Sequence, residues 1–197
     1  MNIRILAFTL GTVVALSAPV QAFADHEAAP TEYKKVTKGG KYVFVLLAPQ
    51  EWRKWGHLHK TYPSSGLYVN DGSHKPLWTV DWYARNVEVC SDGVHLVRWG
   101  PWPRLGDGGE TLALAFYKNG YEVKSYRVID LFPDYERFPM TVSHYRWSLN
   151  HSYDDVGKRV AFVPIEGYYE RGPRRVFDIK SGEVLEPKHK RTDQANH

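Results

Sequence analysis

Two imidazoles standing two residues apart, His57 and His59 in Gly56-His57-Leu58-His59, form the most metal-like spacing in this chain of 197 residues. In an extended segment, residues i and i+2 point to the same side, so both rings can reach one ion such as zinc. A metal site needs more ligands than two. His74, His95, Asp71 and Asp81 have suitable side chains, but no spacing ties them to the pair. The two histidines therefore read as surface groups, and no metal or other cofactor is expected. A small extracytoplasmic metal-dependent hydrolase using His57 and His59 is the enzymatic alternative.

Other reactive types give weaker patterns. Glycoside hydrolysis uses two carboxylates roughly 5 to 10 Å apart, and neither Asp154-Asp155, Asp130 with Asp134, nor Glu32 encodes such a distance. Adjacent aspartates before Gly157 suit a turn. Gly106-Asp107-Gly108-Gly109 lacks the Lys-Ser/Thr and the following helix of a phosphate cradle, so it reads as a loop. A G-x-S-x-G elbow, a P-loop, a dinucleotide fingerprint and an H-E-x-x-H helix are all missing. Cys90 is the single cysteine. It has no intrachain partner and reads as a packed thiol on an apolar strand. We expect no catalysis.

Aromatic residues carry more information. The chain has 7 Trp, 13 Tyr and 8 Phe, large rigid rings that favour sheets and binding surfaces. Trp78 and Trp82 lie in a strand-like run, Leu77 to Trp82, and are expected in the core. Trp52 and Trp55 fall in a short helix or irregular insertion. Trp99-Gly100-Pro101-Trp102-Pro103 cannot continue as an inner strand, because its prolines lack donors. Trp52, Trp55, Trp99 and Trp102 are thus the expected ligand-binding surface, with a protein, peptide or glycan as the ligand.

The elements that must hold these rings are strands. Short runs rich in Val, Tyr, Phe and Trp alternate with Gly, Asp, Asn and Pro, and no helix-length segment carries a 3.6-residue apolar stripe. Lys41 to Leu47 and Leu112 to Tyr117 are apolar on both pleat faces, as is Val160 to Ile165 apart from Pro164. With no helices available, both faces must be covered by other sheets. Asn70-Asp71-Gly72, Lys118-Asn119-Gly120 and Lys180-Ser181-Gly182 predict hairpins. Lys38-Gly39-Gly40-Lys41, Ser91-Asp92-Gly93 and Val156-Gly157-Lys158 each lead into an apolar strand. This order repeats three times, over residues 36 to 82, 85 to 131 and 142 to 187.

Such repeats belong to architectures whose units cannot bury their apolar faces alone. Ser91-Asp92-Gly93-Val94-His95-Leu96-Val97 resembles the turn into the second strand of a β-propeller blade, of the broad WD40-like and exported bacterial kind. Val176-Phe177-Asp178-Ile179-Lys180-Ser181-Gly182-Glu183-Val184-Leu185 is similar to a blade's closing hairpin. The resemblance implies an all-β fold of about three antiparallel meander units stacked propeller-like, acting as a binding platform. It carries over no catalytic residue. No Gly-His or Trp-Asp signature recurs in register, and complete propellers use four to eight blades. A two-sheet sandwich is the alternative fold. A half-propeller completed by a second copy, hence a homodimer, is a third functional class.

Residues 1 to 24 combine Arg4, an apolar run from Ile5 to Val20 and Gln21-Ala22-Phe23-Ala24. They read as a secretory signal cut after Ala24, so a periplasmic or secreted location is expected, with no membrane contact after cleavage. A polar leader over 25 to 35, one β-rich domain over 36 to 187 and a flexible basic tail over 188 to 197 complete the expected organisation. With 26 Lys+Arg against 22 Asp+Glu, the charge is too balanced for a nucleic-acid binder.

Overall fold

The computed structural model describes residues 27 to 166 and 170 to 185; the expected signal segment and basic tail lie outside them. Among the described residues, thirteen strands build three antiparallel sheets in chain order. The first holds β1 (Tyr33–Val36), β2 (Tyr42–Leu46), β3 (Gly66–Val69) and β4 (Trp78–Thr79). The second holds β5 (Val87–Val89), β6 (His95–Trp99), β7 (Leu112–Lys118) and β8 (Tyr121–Arg127). The third comprises β9 (Ser148–Asp154), β10 (Arg159–Glu166), β11 (Glu170–Arg171), β12 (Arg175–Asp178) and β13 (Val184–Leu185). One helical turn, α1 (Val128–Leu131), follows β8.

The three expected units are thus three meanders, and the two-sheet sandwich is not formed. Each predicted turn joins the strands assigned to it. Two expectations shift. The polar leader ends earlier than residue 35, because Tyr33–Val36 pairs with β2 in the register Tyr33↔Leu46 to Val36↔Val43. The run from Leu77 to Trp82 supplies only the two-residue β4.

Period-two alternation explains the stacking. In β2, Phe44 and Leu46 face one way, joining Leu67 of β3 against Leu96, Ala115 and Tyr117 of the second sheet. Val43 and Val45 face the other way, under Tyr62 and Tyr68. In β7, Ala115 and Tyr117 look toward the first sheet. Leu114 and Phe116 meet Val160, Phe162 and Phe177 of the third. Strand β7 of the middle sheet is therefore buried on both faces, and the order of sheets in space follows their order in the chain.

Two glycines seat the sheets against one another. Trp78 donates its indole N–H to the Gly93 carbonyl at 2.8 Å, and Tyr126 donates its hydroxyl to the Gly182 carbonyl at 2.9 Å. Both glycines have positive φ, 72° and 74°. A Cβ there would come within 2.6 Å of the Tyr42 ring at Gly93 and 2.9 Å of the Phe116 ring at Gly182. Only glycine combines that backbone with so close a ring.

Candidate functional site

The first tryptophan pair rides on an insertion between β2 and β3. Pro49 breaks the sheet, and Gln50–Trp55 winds into a 3₁₀ helix followed by a second, Leu58–Lys60. A buried carboxylate anchors the second. Glu32, whose side chain is only 3% exposed, accepts the Leu58 backbone N–H at 2.7 Å and the His59 Nδ1–H at 2.8 Å. Gly56 lies so close to that carboxylate that any side chain would collide with it. The insertion holds Trp52 and Trp55 up to solvent, 37% and 73% exposed.

This arrangement separates the histidines. His59 is committed to Glu32 and His57 is exposed. His74 sits edge-on to Tyr62, His95 pairs with Asp92 at 2.9 Å, and Asp71 caps its own turn through the Ser73 N–H. Among the described residues, no three His, Cys, Asp or Glu side chains gather where they could hold a metal ion.

The second pair divides. Trp102 is 44% exposed, whereas Trp99 is 4% exposed, so the expected exposure fails at Trp99. The cause is strand alternation. Trp99 ends β6 on the same face as Val97, looking into the core shared with the third sheet. Phe162 and Trp147 lie against it with ring centroids 6.2 and 6.4 Å away. Each tryptophan nevertheless stacks on a histidine: Trp99 on His151 at 3.8 Å and 1°, Trp102 on His144 at 4.3 Å and 26°.

His151 shows the chemistry available here. Desolvation lowers its pKa, which favours a neutral ring at pH 7, and Ser148 Oγ lies 3.0 Å from its Nε2. A serine hydrolase would add a carboxylate on the other ring nitrogen to orient the base. Among the described residues, none contacts it.

These segments line three adjoining pockets with shared residues, together called the cleft. A cavity of about 590 Å³ is bounded by Trp99, Trp102, Trp147 and His151. It shares Glu27, Arg85, Trp102 and His144 with a neighbour of about 560 Å³ that reaches Trp52. A smaller pocket of about 120 Å³ shares Pro30 and Trp52 and adds Trp55. The four tryptophans singled out in the sequence are thus divided among these three pockets, two to each, and Trp99 contributes only a buried wall. No family model matches this chain, and no curated protein or solved structure matches it. What the cleft does must be read from its own residues.

Some of those residues carry no local signal. Arg85, His144, Arg146, Trp147 and His151 reach the cleft through contacts between sheets and the 128 to 147 connection. The spacing Ser148-x-x-His151 was the one readable trace of them. Away from the cleft, Cys90 is fully buried, and burial pushes its thiol up to about 11. That opposes thiolate chemistry at neutral pH.

Proposed function

We propose that this chain is an exported, non-catalytic β module that binds a peptide or glycan in the tryptophan-lined cleft, its three sheets acting as propeller-like blades. The carrying observation is convergence: Trp52 and Trp102, from insertions in different sheets, line one cavity. Open concave sites with aromatic walls and a few placed polar groups are the usual form of ligand sites. Export is supported by the signal-like run at residues 1 to 24.

The test is a double substitution, Trp52→Ala with Trp102→Ala, probed by fluorescence titration with a panel of soluble polysaccharides and a random octapeptide pool. Both rings are partly in solvent and lie outside the buried core, so melting should move little while binding falls about tenfold or more. Equal binding by the variant and the unmodified chain would refute the cleft as the site.

A further inference from the structure

Among the described residues, the acids of the cleft are paired and two of its arginines have no carboxylate partner. Glu32, at the insertion end, uses one oxygen for the Leu58 N–H and the other for His59. Glu27, which lines both larger cavities, is held by Arg85 at 3.0 Å. Arg146 lines one of these cavities and Arg104 the other. Both are exposed, and neither has a carboxylate partner among the described residues. A ligand therefore meets two exposed guanidinium groups next to an indole face.

Resting on the cleft as the binding site, we infer that its ligand is a carboxylated glycan, a chain of uronic-acid sugars. A guanidinium offers two parallel N–H donors that match a carboxylate, which gives direction as well as charge. The flat apolar face of Trp102 suits the face of a sugar ring. The alternative, an acidic peptide, needs main-chain donors if it is held by strand addition. Trp102 stands between Pro101 and Pro103, which have no N–H to give. A sugar needs only the ring and the nearby forks.

Calorimetry on the full chain tests this with a uronic-acid hexasaccharide, the same hexasaccharide with its carboxyls reduced to alcohols, and poly-glutamate. The uronate should bind about tenfold or more tighter than its reduced form, with affinity falling as salt rises. Arg104→Gln with Arg146→Gln should remove that preference while leaving the melting temperature near its original value. Equal binding of the two hexasaccharides overturns the charge argument and leaves the aromatic cleft standing. Preferential binding of poly-glutamate overturns the glycan. Uronate binding that survives Trp52→Ala with Trp102→Ala places the anion elsewhere and overturns the cleft as well, and no binding of any probe at millimolar concentration overturns the inference.

Discussion

The two seams between the sheets are built differently. In the seam between the first and second sheets, the Arg98 guanidinium lies 4.6 Å over the Trp82 ring and donates to the Tyr83 carbonyl at 3.2 Å. Among the described residues, Arg98 Nε and Trp82 Nε1 are buried there without hydrogen-bond partners, as is Trp99 Nε1 in the other seam. Leaving such donors unpaired costs about 1 to 3 kcal/mol each. Polar pins work beside the apolar contacts: the Tyr33 hydroxyl to the Ala84 carbonyl at 2.9 Å, and Lys35 to the Val87 carbonyl and Glu88, both at 2.6 Å. The seam between the second and third sheets is dominated by rings. Phe162 lies 4.9 Å from Trp147 and 5.7 Å from Phe177, and Phe177 lies 5.7 Å from Phe116. The lesson is that one fold holds like units together by two routes, polar pins beside packing in one seam and ring packing in the other.

The largest effect expected from this contrast is at Phe162. Phe162→Ala should cost about 3 to 5 kcal/mol and exceed Phe44→Ala, because more rings lose a partner. Denaturant unfolding of both variants checks the order, and a reversed order breaks the contrast.

The next effect is at Asp155, a buried polar group in the ring-rich seam. Burial alone would raise its pKa, but hydrogen bonds from Ser91, Lys158 and Tyr153 outweigh that and hold the carboxyl well below the ordinary value of 3.8. A carboxylate with a depressed folded pKa contributes stability above the unfolded value and loses it as pH falls through the folded one. Asp155→Asn should therefore cost about 2 kcal/mol at pH 7, with the gap closing below about pH 4. Thermal melts of both proteins from pH 7 to pH 3 measure this, and a gap that stays constant would contradict it. The smallest effect is expected at Lys35, whose side chain is 36% exposed. Lys35→Ala should cost less than about 1 kcal/mol, and a loss comparable to that at Phe162 would show the first seam to be pinned rather than packed.

The strand units were legible because they are written locally. Alternation in Tyr42–Leu46 and Leu112–Lys118 demanded cover on both faces, and Asn119 and Gly120, both at positive φ, mark a tight hairpin. Tyr33–Val36 escaped because its lysines mask an edge strand as leader. Its place is set by pairing with β2 and by Lys35 reaching across to β5. Trp102 was legible from its prolines. The burial of Trp99 was not, since its cover comes from Trp147 and Phe162 far along the chain. Glu32 also stayed hidden, as nothing near it in sequence announces that an insertion 26 residues away will fold over it.

The turn Ser91-Asp92-Gly93 is fastened on two sides. Gly93 gives its carbonyl to Trp78 of the first sheet, while Ser91 gives its N–H to Asp155 beside the third. Three residues thus act as a rivet through the whole stack. Loosening either neighbour tugs on the same short loop, so the layers should open together, and one melting transition is the natural behaviour of the chain.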